Sequence, residues 1–263
     1  MKYNRFFNLH IPKTGGTYFR ENILKPMEPY LNQNGIATDT RGEGGEGTFA
    51  RTNTFHWCWY KPYVQDDSYI FTSFRDPAER LVSNYAWKAL RAISYGLSPY
   101  KEEDITVENF YKWIDKHRNV YTDFQSKNLV YYNPDDSIYV EAVHKGWEKD
   151  DIPRINSFLY NKHFADYPLN KEEVFSNIKR VNLFVKDTTL LKEDQQIKLR
   201  DKIINDLGLP PTNILITNKV YGNYNPISKE LFKKFTEKQI EEIYQSNPLD
   251  SEIWFTSNLF YKE

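Results

Sequence analysis

The chain has 263 residues, 40% of them hydrophobic and 16% aromatic, so it is long enough to bury a sizeable core and too apolar for a disordered segment. Lys and Arg number 35 against 36 Asp and Glu, which excludes a general polycationic surface for nucleic acid or anionic lipid. Cys58 is the sole cysteine; an intrachain disulfide and a cysteine-based metal cluster are excluded, and a reducing compartment is favoured. The opening MKYNRFFNLHIPK has no apolar stretch of leader length, and no run of about 18 apolar residues occurs. The expectation is a soluble, cytoplasmic protein of one domain over 1–263, with no nucleic-acid or membrane partner.

In chain order, residues 5–11 read as a strand, 12–16 as a loop, and 17–24 as a helix that Pro26 and Pro29 end. TRGEGGEGTF then places four glycines within 42–47, either a surface loop or a mobile flap beside a ligand. YIFTSF (69–74) is a short apolar run that suits a buried strand. RDPAERLVSNYAWKAL follows as a well-specified helix start, with Asp76 as N-cap, Pro77 in the first helical position and Glu79 completing a capping box. TVENFYKWIDKH (106–117) carries Val107, Phe110, Tyr111 and Ile114 on one helical stripe.

Residues 118–170 are aromatic, polar and weakly periodic, and they take no assignment. NKEEVFSNIK is a helix capped by Asn170, NLFVK (182–186) a second buried strand, and 189–207 a long helix closed by Gly208 and Pro210. Helices over 236–245 and 250–261 complete the chain. Short apolar strands alternating with helices predict an α/β fold with a central, mainly parallel sheet flanked by helices. Ligands of such sheets bind at the carboxyl ends of strands. HIPKTGGT and FRDP both fall there.

The two stretches have complementary chemistry. In HIPKTGGT, Gly15 and Gly16 let the backbone approach an anion, and the amides of Gly16, Thr17 and Tyr18 open a helix whose dipole favours negative charge. Thr14 and Thr17 add hydroxyls, and Lys13 a full charge. The competing reading is a glycine turn capping a helix, with Lys13 in solvent. In FRDPAERLVSNY, Arg75 offers a forked cation suited to phosphate. Ser83, eight residues later, returns to nearly the same helical face. Alternatively, Arg75 pairs with Asp76 or Glu79 and Ser83 merely packs. Together the stretches suit a ligand with two anionic ends.

HIPKTGGT followed by FRDPAERLVSNY resembles the paired phosphosulfate-binding motifs of the sulfotransferases, in particular the carbohydrate branch that includes the heparan sulfate 2-O- and 6-O-sulfotransferases. The resemblance is strong over the N-terminal third and loose beyond it, through LLKEDQ and PLDSEIWFTSNLF. It implies a P-loop-like sulfotransferase fold and the donor 3′-phosphoadenosine 5′-phosphosulfate. It implies too that the lysine loop holds the 5′-phosphosulfate, and that Arg75 and Ser83 hold the 3′-phosphate. Lys13 then stabilises charge building on the oxygen that bridges phosphate and sulfate. A sulfuryl group is less charged than a terminal phosphoryl and the sequence has no clear Walker-B acid, so no metal is required.

A transferase to hydroxyls needs a base, and histidine is suited. His10 belongs to the strand before the loop, His117 ends a helix, and His144 and His163 lie in the unassigned middle. His56, in RTNTFHWCWYKPY, occupies the interval where the resemblance implies the catalytic histidine or glutamate, although a buried histidine in an aromatic cluster would look the same. Phe55, Trp57, Trp59 and Tyr60 would form an acceptor wall, because sugars stack on such rings. Arg80, Asn218 and Lys219 are further candidates for the nucleotide site. The acceptor implied is a hydroxyl-bearing compound, a glycan by the branch resemblance. Two other readings are a P-loop small-molecule kinase, which wants Walker A order and a metal-binding acid, and a catalytically inactive nucleotide- or glycan-binding module. Oligomeric state is not legible.

Overall fold

The structure is a computed structural model, and it describes residues 2–9, 11, 13–38, 59–60, 66–94, 96, 101–132, 169–186, 191–216 and 224–256. Strand β1 (Arg5–Leu9) leads through a turn into a continuous helical run: α1 (Gly16–Phe19), a π-helical turn (Arg20–Leu24) and α2 (Lys25–Gln33). A two-residue strand β2 (Trp59–Tyr60) precedes β3 (Ser68–Phe74) and the long helix α3 (Pro77–Ser94). Helices α4 (Val107–Tyr121) and α5 (Phe124–Lys127) follow, then β4 (Tyr131–Tyr132), α6 (Lys171–Arg180) and β5 (Leu183–Lys186). Helices α7 (Glu193–Asp206), α8 (Tyr224–Phe232), α9 (Glu237–Ser246) and α10 (Pro248–Thr256) complete the described chain.

The main sheet has the order β1-β3-β5, all parallel, with Phe7 opposite Ile70 and Phe71 opposite Leu183. All seven residues of β3 are buried, as a parallel strand covered on both faces must be. Side chains alternate between the faces. Phe6, Tyr69, Phe71, Leu183 and Val185 meet Phe19, Ile23, Met27 and Leu31 of the first helical run and Leu199 and Ile203 of α7. Phe7, Leu9, Ile70, Phe74 and Phe184 meet Val174 and Ile178 of α6 and Leu249 and Ile253 of α10. A third cluster packs Leu81, Val82 and Tyr85 of α3 against Phe110, Leu231 and Ile243. The expected α/β arrangement, a small parallel sheet between helices, is what forms. β2 and β4 make a separate parallel pair, Trp59 opposite Tyr131. Among the described residues no helix is long and apolar enough to cross a membrane.

Several helix starts follow local chemistry. Side chains of Thr106, Asn170 and Thr236 accept from the backbone N–H three residues on, which satisfies an otherwise orphaned donor. Gly208, at φ +71, closes α7 in the left-handed conformation. The main departure is at Pro26 and Pro29, which do not end the first helix. The π-helical turn passes the Lys25 N–H back to the Arg20 carbonyl, five residues earlier. A new α-helical register therefore opens at Lys25, and Pro26 falls in its first turn, where a missing N–H is tolerated. Helix α7 starts at Glu193 rather than 189, helix α10 at Pro248 rather than 250, and α8 was not expected at all. The glycine-rich 42–47 and most of 118–170 lie outside the described residues.

Candidate functional site

The candidate site is built where β1 and β3 end side by side. Their pairing stops at Leu9 opposite Thr72, and the Thr72 hydroxyl donates to the Leu9 carbonyl at 2.8 Å. The chain then turns back toward β3: the Thr14 hydroxyl donates to the Ile11 carbonyl and shares a second hydrogen bond with the Ser73 hydroxyl, both at 2.8 Å. Thr14 is fully buried, so this is a fixed tie between loop and sheet. Lys13 has φ +69 and Gly15 φ +89. The left-handed region suits glycine but costs a lysine about 1–2 kcal/mol. Such strain persists only where surrounding contacts impose it, and it clusters at ligand sites.

The helical run begins as Phe19 N–H bonds to the Gly15 carbonyl at 3.0 Å. The amides of Gly16, Thr17 and Tyr18 therefore precede the internal ladder and point out of the helix start. The Tyr18 hydroxyl accepts from Gln196 of α7 at 2.7 Å, so its ring serves helix packing.

Arg75 leaves β3 at the same end of the sheet. Asp76 caps α3, its Oδ1 accepting from Glu79 N–H at 2.9 Å, and its Oδ2 accepts from the Tyr244 hydroxyl at 2.7 Å. Glu79 turns its carboxylate to Arg75, accepting from Nη2 at 3.0 Å and Nε at 3.3 Å. The pairing that the alternative reading anticipated is thus present. Glu79, Ser83 and Trp87 succeed one another at four-residue spacing along one face of α3. Arg75 engages the first of these, and Lys13 Nζ lies 5.4 Å from the centroid of the Trp87 ring. Two cations therefore bracket the buried Ser83 along roughly 12 Å of helix. Burial, then the nearby Arg75 charge, lowers the Lys13 ammonium from 10.5 to about 8.

The described residues thus bring Lys13, Thr14, Gly15, Gly16, the Thr17 backbone, Arg75 and Ser83 to one end of the sheet. Arg80 does not line this site. It is 1% exposed, its guanidinium carbon sits 4.8 Å from the Phe124 ring centroid, and burial lowers it to about 10 while the Asp250 carboxylate opposes that shift. His117 sits at a kink in α4 with its ring 5.7 Å from Trp113, and burial lowers its pKa; it is a packing residue. His10, His56, His144, His163, Asn218 and Lys219 lie outside the described residues, as do Phe55 and Trp57. Two neighbours of the site, Ser73 and Trp87, were not legible in the sequence because nothing local marks a strand serine or helix tryptophan as facing a loop far away in the chain.

A family model described as the sulfotransferase family matches residues 2–255. The chain belongs to the sulfotransferase family. Membership covers both halves of the site and both helical layers, not the N-terminal third alone, and it makes the protein a transferase of that general kind. No curated protein matches the chain, and no solved structure does.

Proposed function

We propose that the protein transfers the sulfuryl group of 3′-phosphoadenosine 5′-phosphosulfate to a hydroxyl, on a carbohydrate acceptor, within a P-loop-like sulfotransferase fold. The observation that carries the reading is the convergence of Lys13 and Arg75 on the face of α3 that holds Ser83, at the carboxyl ends of two adjacent parallel strands. The residues fit a doubly anionic nucleotide. Lys13, whose ammonium is depressed by burial and then by the nearby Arg75 charge, gains with Arg75 from an anion placed between them, and the left-handed backbone at Lys13 and Gly15 opens the helix start to it.

The donor, when bound, supplies the sulfuryl group and a diphosphonucleoside leaving group. The amides of Gly16, Thr17 and Tyr18, with the Thr14 and Thr17 residues around them, hold the 5′-phosphate. Arg75 and Ser83 hold the 3′-phosphate, Arg75 turning from Glu79 to do so. Lys13 stabilises the charge that collects on the bridging oxygen as the bond from sulfur to that oxygen breaks. His56 takes the proton of the acceptor hydroxyl as its oxygen bonds to sulfur. Lys13 and Arg75 together supply the charge compensation, so the reading involves no metal.

The test has two arms. Adenosine 3′,5′-bisphosphate should raise the melting temperature without magnesium, and ATP should not; the reverse pattern would support a kinase. His56→Ala should lose a factor of about 10² to 10⁴ in turnover with labelled donor and a carbohydrate acceptor mixture while keeping nucleotide affinity. Undiminished turnover in that variant would remove His56 from the mechanism.

A further inference from the structure

We infer that Gln125 is a positioning residue for Arg75: its carboxamide extends the sheet past the last paired residue of β3 and so fixes where the guanidinium starts. The inference rests on the proposal that Arg75 holds the 3′-phosphate. The pairing of β3 with β5 ends at Phe74 opposite Lys186, and Arg75 is the next residue, where strand gives way to the cap of α3. There Gln125 Oε1 accepts from the Arg75 N–H at 2.9 Å, and Gln125 Nε2 donates to the Arg75 carbonyl at 2.9 Å. The N–H and C=O of one extended residue point to the same side, so a single carboxamide replaces a missing strand with both bonds. Gln125 is 0% exposed, and water cannot substitute for it.

The turn that carries the carboxamide is itself anchored on three sides. Gln125 and Ser126 donate their backbone N–H groups to the two oxygens of Asp250, at 3.0 and 2.7 Å. Leu249 and Asp250 in turn donate theirs to Asp123 Oδ1, both at 2.9 Å. Asp123 adopts φ +47 to make this reciprocal cap. Phe124 lies beneath the Arg80 guanidinium, which fixes the same turn from α3. A buried polar network of this kind stabilises the fold whatever its function. It also terminates on the backbone of a residue proposed to grip a ligand, where a displacement of about 1 Å is costly.

The deciding measurement is the ratio of Kd for adenosine 5′-phosphate to Kd for adenosine 3′,5′-bisphosphate, by calorimetry on the full chain. Gln125→Met keeps the side-chain length and removes both bonds. The expected result is a ratio about tenfold smaller than in the unmodified protein, with affinity for adenosine 5′-phosphate within about twofold. A purely structural role would lower the melting temperature and leave the ratio intact, and that outcome overturns the inference. If Gln125→Met does not fold, Ser126→Ala decides: it removes only the hydroxyl that donates to Asp250 at 2.5 Å and should shrink the ratio about threefold, an unchanged ratio again counting against the inference. A ratio near one in the unmodified protein would refute the role of Arg75 itself, and the inference with it.

Discussion

Lys13 makes the site's response to pH predictable. The drop from 10.5 to about 8 corresponds to about 3 kcal/mol against the charged ammonium. The half-buried side chain is set beside the ring of Trp87 and within reach of the Arg75 charge. A bound dianion favours protonated Lys13, so binding above pH 8 takes up a proton. Affinity for adenosine 3′,5′-bisphosphate should hold up to about pH 7.5 and fall about 25-fold between pH 7.5 and 9.5. Phosphomonoesters are already doubly ionised there, so ligand titration does not blur the result. Calorimetry in two buffers of different ionisation enthalpy would report the affinity and the proton uptake together. Lys13→Arg, charged throughout, should bind with no such fall. A flat profile for the unmodified protein, or an equal fall in Lys13→Arg, would refute the argument. For the ligand-free protein the sign is opposite: between pH 8 and 10.5 the unfolded chain carries a proton on Lys13 that the folded chain lacks, so Lys13 makes the fold more stable as pH rises through that window.

Glu79→Gln should tighten binding of adenosine 3′,5′-bisphosphate by up to about fivefold at low salt, because the carboxylate that engages Arg75 at 3.0 Å is 37% exposed and competes with the ligand; weaker binding would instead make Glu79 the residue that aims Arg75. Asp250→Ala should cost about 3–5 kcal/mol in urea unfolding, since it strips a buried acceptor from two backbone amides and the Ser126 hydroxyl and leaves Arg80 without its opposing charge; a loss under about 1 kcal/mol would mean the network tolerates rearrangement.

What was legible in the sequence is what depends on neighbours in the chain. Asp76 and Pro77 place the start of α3 within a few residues, and the apolar runs at Phe6 and Phe71 place two strands of the sheet. The glycines of HIPKTGGT mark the turn, although the left-handed backbone falls on Lys13 as well as Gly15. Pro26 and Pro29 read as a stop because proline breaks a continuous α-helix; a π-helical turn restarted the register and put Pro26 in a first turn, Pro29 is carried inside α2, and no residue type announces such a turn. Ser73 and Gln125 were invisible for a different reason. Their partners lie 59 and 50 positions away, and a buried polar side chain carries no periodic signature. The span 118–132 looked shapeless because much of it serves as caps and clamps for other elements rather than as a face of its own.

The exchange of carboxylates between Asp123 and Asp250 has a consequence for how the protein is made. Each acid completes the helix start on which the other sits, across 127 positions, and closing so long a loop is entropically unfavourable until both meet. During synthesis the sheet and the glycine turn can assemble early, but the carboxamide beside Arg75 gains its anchor only after residue 250 has emerged. The proposed grip on a nucleotide is therefore finished from the far end of the chain.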